Sequence, residues 1–249
     1  MEMGEQMGVR GLSGSTLKLI AVVTMLIDHI GATVIWRLLL SGPQPPELHA
    51  AYSIMRDIGR IAFPIYCFLL VEGFMCTRSR WRYAVRLGAF ALISEIPFDL
   101  AFNSRVLEFG YQNVFFTLTI AFFTIWAMHF VTEKREWHLL LRVALWVPIG
   151  FAGMMLAWLM QTDYDAKGVL CVIALYVFRN VRWYQIIAGC LAFGWFEPPA
   201  LLAFIPIAFY NGSRGWKIKY LFYLFYPVHL LVLYLICVWM GTAGIPVVW

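Results

Sequence analysis

The sequence predicts an all-α, polytopic integral membrane protein, a bundle of about nine transmembrane helices with a range of eight to ten. Three observations predict it. Of the 249 residues 62% are hydrophobic and 13% charged, and mean hydropathy is +0.75; a soluble domain carries roughly 45–50% apolar and about 25% charged residues. Apolar runs that approach or reach the roughly 17–25 residues of a membrane span recur along the chain. Basic residues gather in every second connection, the pattern of the positive-inside rule.

The spans follow in order. A polar segment, MEMGEQMGVRGLSGST, precedes the first run at 17–40. No cleavable signal peptide is expected there, because the run is too long and leads straight into further spans. The second run, 58–77, ends at TRSRWR, where Arg78, Arg80 and Arg82 stand together with Arg86 one turn beyond. Runs at 82–102, 113–131 and 139–159 come next. Those at 166–178, 184–196 and 198–210 are short and read as tilted or broken helices, or as one re-entrant unit, before the last at 218–240. Placing TRSRWR in the cytoplasm puts TEKREWH, RNVR and NGSRGWKIK there too, with the N-terminus cytoplasmic and the C-terminus extracytoplasmic. Residues between the first two runs, Arg56 among them, then read as an outer connection. The length leaves one membrane domain over residues 1–249 and no separate soluble module.

The net charge of +5 belongs to these loops, so no nucleic-acid partner is inferred. Cys67, Cys76, Cys171, Cys190 and Cys237 are dispersed and form neither a zinc spacing nor a disulfide framework. Glycine-rich phosphate loops, HExxH and GxSxG are all missing, and no metal is called for. GRIAFP and scattered small residues read as helix-packing features.

Four ionisable residues resist that bland reading. Most membrane charges stand near an interface, where a long side chain reaches water. Asp28 and His29 do not: they lie side by side in LKLIAVVTMLIDHIGATVIW, with His29 about 18 Å from the inner end of its span. Glu95 in ALISEIPFDLAF and His229 in YLFYPVHLLVLY are also deep. Such groups must face the bundle interior or a wet cavity. They form either a structural polar network or a buried site or ion path. Lys18 and His29 are eleven residues apart, which on an α-helix puts them on one face about 16 Å apart. A long ligand with a phosphate head and a reactive tip, such as acyl-CoA, fits that stripe. The basic clusters at Arg78–Arg82 and Lys217–Lys219 could hold its phosphates by charge-assisted hydrogen bonds.

The stretches LKLIAVVTMLIDHIGA, MRDIGRIAFPIYCFLLVEGFMCTRSRWRYAVRLGAFALISEIPFDLAF, QNVFFTLTIA, DYDAKGVL and YNGSRG followed by YLFYPVHLLVLYLI resemble the TraX family of membrane proteins over nearly the whole chain. That family takes its name from a conjugation protein that N-acetylates the pilin subunit, and it looks related to transmembrane acyltransferases marked by a basic residue, ten intervening residues and an essential histidine. The resemblance puts Lys18 and His29 at those two positions and Asp28 at the adjacent acid of DH motifs. It implies a prokaryotic cell-membrane acetyltransferase moving an acetyl group from cytoplasmic acetyl-CoA to an amine or hydroxyl reached from outside. His29 is then the general base, with direct transfer and an acetyl-histidine intermediate both open. Asp28 or Glu95 orients it, and His229 with Tyr226 completes the site by stabilising the oxyanion or relaying a proton. Asn113 lines the acceptor pocket or starts a helix. Lys18, Arg78, Arg80, Arg82, Lys217 and Lys219 hold CoA. The acceptor is small or extended, a peptide N-terminus, a sugar or a metabolite; a homo-oligomer is admissible. A proton-coupled transporter and a non-catalytic assembly factor stay open as alternatives.

Overall fold

Apolar runs form the helices, and polar side-chain caps at Ser13, Ser79 and Asn113 start three of the long ones. The computed structural model describes residues 11–43, 45–216 and 219–247. Lys217 lies outside the described residues, as does the side chain of Lys219. Ser13 accepts from the Thr16 amide and starts α1 (Gly14–His29). The helix then widens into a π-helical turn, Ile30–Ile35, and resumes as α2 (Trp36–Ser41). Pro46 opens α3 (Pro46–Gly59), where its missing N–H costs nothing. After a break at Arg60–Ile61 comes α4 (Ala62–Cys76). Ser79 caps α5 (Arg80–Asn103), which Ser104 closes in the left-handed region. Asn113 caps α6 (Val114–Glu133), and α7 (Leu139–Leu159) returns. Short helices follow: α8 (Asp165–Val177), α9 (Arg182–Phe193), and a 3₁₀ turn, Pro198–Ala203, running into α10 (Phe204–Ala208). The chain closes with α11 (Lys219–Trp239).

The described helices make a multi-spanning bundle, as the composition predicts. Among the described residues, five stretches are long and apolar enough to cross a membrane: Gly14–Ser41, Pro46–Cys76, Val114–Glu133, Leu139–Leu159 and Leu221–Trp239. The expected nine is thereby reduced, for two physical reasons. Although α5 has 24 residues, it carries Arg80, Arg82, Arg86, Glu95 and Asp99, which dilute its hydropathy. The segments between 165 and 208 are each shorter than a span. One further correction concerns residues 46–57, read from sequence as an outer connection. They form most of α3, whose mixed ELHAAYSIMRDIG composition is too polar to read as a span alone but packs along α1.

The bundle has two ends. On the near face Leu12 bridges Tyr210, and Arg182 at the start of α9 stands 5.2 Å over the Tyr210 ring. On the far face Gln112 bridges Thr162, and the Val247 amide bonds the Phe102 carbonyl. Here Arg37, fully buried, donates to the Ile245 carbonyl at 2.8 Å and to Ser104 Oγ at 3.1 Å. α1, continued by the π-helical turn and α2, and α11 run from the near face to the far one, side by side with α4 and α5. Lipid-side positions stay apolar and exposed, notably Leu92, Val147, Phe151 and Leu191.

Candidate active site

The DH pair ends the regular part of α1, so the eleven-residue step from Lys18 to His29 falls wholly within α-helical geometry. Both residues meet α11. Lys18 Nζ lies 5.5 Å from the Phe222 ring, and His29 Nδ1 lies 2.6 Å from His229 Nε2. Immediately beyond, the π-helical turn begins, a feature that recurs at functional sites.

Asp28 faces the other way, as expected of neighbours about 100° apart on a helix. Its Oδ2 accepts from Arg56 Nη1 at 2.8 Å and stands 3.9 Å from His29 Nε2. Asp28 thus holds a cross-helix cation rather than hydrogen-bonding its neighbour. Gly59 permits this approach, since a Cβ there would coincide with the Asp28 side chain.

A cavity of about 230 Å³ opens between the middle of the bundle and the far face. Asp28, His29 and Arg56 line it, as do Phe98, Phe102 and Tyr226. Its rim is charged: Glu197 lies 3.2 Å from Arg60 and 3.9 Å from Lys167. Opposite, Tyr111 donates to Asp163 at 2.8 Å, and burial pushes that carboxyl above its usual range. The rim segment is strained. Gln161, Tyr164 and Asp165 all have positive φ (50°, 63° and 34°), which non-glycine residues rarely adopt. Bonds from the Gln112 amide to the Gln161 carbonyl, and from the Asp163 amide to the Gln112 carbonyl, hold it there. The Thr117 hydroxyl also donates to the Asp163 carbonyl.

The other expected residues divide. Tyr226 lines the cavity, its ring 5.9 Å from that of His29. Glu95 accepts from the Asn113 side chain and amide; its Oε1 has no hydrogen-bond partner among the described residues, and no bond joins it to His29. Asn113 caps α6 and ties it to the Ala91 carbonyl of α5, which is the helix-start reading. Of the near-face cations, Arg78 and Arg82 are exposed. Arg80 donates to His129 Nε2 at 2.7 Å and lies 3.9 Å from Glu133. Sequence reasoning passed over Arg56, Arg60, Asp163 and Glu197 as site residues. RDIGR carries two arginines four apart on one helical face, but their acidic partners come from distant segments.

The arrangement places an imidazole, a carboxylate–guanidinium pair and a phenol around a small cavity, the parts of a proton-transfer site. The chain is 28% identical to the probable fimbrial assembly protein FimC, serogroup H1, of Dichelobacter nodosus, over 249 aligned positions that cover 89% of this chain and 94% of the relative. No solved structure matches. The sequence profile described as TraX protein matches residues 13–237, and this multi-pass membrane protein therefore belongs to the TraX family, whose membership carries acetyl-CoA-dependent acetyltransferase activity with it.

Proposed function

We propose that the protein transfers the acetyl group of cytoplasmic acetyl-CoA to an amine or hydroxyl that enters the far-face cavity from outside the cell, with residues 1–249 working as one unit. The observation that supports this most directly is His29 itself: a buried imidazole in the cavity wall, about midway along a membrane-crossing helix, reachable from the far side. There it acts as general base. It takes the proton of the acceptor as the acceptor's nitrogen or oxygen attacks the thioester carbonyl, and the CoA thiolate leaves. Asp28, held by Arg56, steadies the imidazolium that forms. Arg56 and the Tyr226 phenol supply hydrogen-bond donors in the cavity wall for the oxyanion.

The donor approaches from the near face. Its phosphates meet the exposed Arg78 and Arg82, with Lys18 at the start of α1; Lys217 and the Lys219 side chain, proposed from sequence for the same role, lie outside the described residues. The pantetheine arm follows the α1–α11 seam for the roughly 16 Å between Lys18 and His29. Arg80 is engaged by His129. The positive-inside pattern favours the near face as cytoplasmic. The cavity lies below the 300–1,000 Å³ of drug-sized sites, which suits a small acceptor or the end of an extended chain; likeness to a protein named for fimbrial assembly favours the chain end.

Incubating purified protein with isotopically labelled acetyl-CoA and a panel of peptides, amino sugars and hydroxyl compounds tests the proposal. The expected result is mass-spectrometric detection of an acetylated member. Binding of acetyl-CoA without transfer to any acceptor or to water, in folded protein, would refute it.

A further inference from the structure

We propose that His229 is a positioning residue that fixes His29 in the tautomer whose Nε2 lone pair faces the cavity. The inference rests on His29 being the base. It follows from a chain of three hydrogen-bonding groups. His229 Nδ1 lies 2.7 Å from the Phe225 carbonyl oxygen, which can only accept. His229 Nδ1 therefore carries its proton, and a neutral imidazole has just one. His229 Nε2 is left as a lone pair. At 2.6 Å from it, His29 Nδ1 must donate. The proton of neutral His29 is thus committed to Nδ1, and Nε2 is bare.

The ring geometry supports an in-line bond. The two imidazoles are within 5° of parallel, with centroids 4.9 Å apart. That separation exceeds the nitrogen–nitrogen distance by about two ring radii, so the rings meet edge to edge. Aromatic neighbours hold them: Phe102 and Tyr226 set their edges against His29, and Phe225 stacks on His229 at 4.5 Å. The opposite polarity of the chain would need a doubly protonated His229. That cation would be buried among apolar rings with no carboxylate bonded to it among the described residues, a costly arrangement. On the other side of the pair, Asp28 Oδ2 is 3.9 Å from His29 Nε2. A proton taken from the acceptor by Nε2 is therefore stabilised there.

The same chain removes two roles expected of His229. Its one N–H is spent on a carbonyl, so it has none for an oxyanion. It also cannot relay a proton onward, because the Phe225 carbonyl is not a base. Its task is to keep His29 oriented and singly protonated on the far nitrogen.

Two variants and one spectrum test this. His229→Phe keeps a planar ring but offers no acceptor. It should lower kcat by about 10²-fold or more, the usual worth of a positioned base, and leave KM for acetyl-CoA unchanged. His229→Gln, whose amide oxygen can accept from Nδ1–H, should recover most of that loss. In ¹⁵N-histidine-labelled full-length protein in detergent, above the pH of imidazole protonation, NMR should show His29 protonated at Nδ1 and bare at Nε2. His229→Phe should shift it toward the Nε2–H tautomer. Full kcat in folded His229→Phe would overturn the proposal, as would an Nε2–H tautomer of His29 in the wild type. The wild-type spectrum needs neither variant to fold nor any transfer activity, so failure of the acetyltransferase reading and failure of this one are separable.

Discussion

At the scale of single residues the sequence singles out the neighbours Asp28 and His29 but not what each does. Adjacent helical positions point in different directions, so the pair is divided between two partners, Arg56 of α3 and His229 of α11. Removing one member of a buried ion pair leaves the other charge unpaired and costs about 3–5 kcal/mol. Arg56→Met should therefore lower the thermal unfolding midpoint sharply, and Asp28→Asn in the same chain should restore much of it. Midpoints for the two single variants and the double variant in detergent would show this coupling, and strictly additive effects would contradict it. His229 was legible as a deep histidine, and so was Lys18 from its eleven-residue step. Arg56 was not, because nothing in SIMRDIG announces that a distant aspartate will receive it. Glu95 was legible as an anomaly and misleading as a partner. Its bonds go to Asn113, a contact between α5 and α6 that no spacing rule foretells.

At the scale of elements the site depends on two departures from regular structure. The first is the close approach of α3 to α1 at Gly59. Gly59→Ala should drive the helices apart and misplace Arg56. Overpacking of this kind costs about 1–3 kcal/mol, and the variant should lose both stability and acetyl transfer; unchanged unfolding would argue against the approach. The second is the strained segment Gln161–Asp165, stapled to Gln112 and carrying Asp163 at the rim. Burial raises the Asp163 carboxyl, with the Tyr111 hydroxyl opposing the shift. A carboxyl raised on folding favours the fold below its unfolded value of 3.8 and weighs against it as pH rises through the folded value. Asp163→Asn should accordingly be more stable than wild type at neutral pH, with the advantage shrinking as pH falls toward 3.8. Unfolding midpoints across that range check the sign. Helix caps such as Ser13 and Ser79 follow familiar sequence preferences. The π-helical turn and the positive-φ residues do not, since tertiary contacts impose them against local preference.

At the scale of the whole molecule, hydropathy conveys the class of the protein, while among the described residues only five stretches are long and apolar enough to cross a membrane by themselves. The short segments from 165 to 208 and the charged α5 are carried by their neighbours rather than by their own apolar length. The positive-inside pattern predicts that the near face is cytoplasmic, and the exposed Cys76 at the end of α4 reports on it. A membrane-impermeant maleimide should label Cys76 in inside-out vesicles and spare it in right-side-out ones; the reverse would invert the topology. That orientation gives donor and acceptor opposite approaches to one imidazole at mid-depth. The most direct test is acetyl-CoA turnover by purified wild type and His29→Ala, using an accepted acceptor or water and matched for folding by unfolding midpoint. The account predicts a loss of about 10²-fold or more in the variant with acetyl-CoA binding retained. Equal turnover by a folded His29→Ala protein would contradict it.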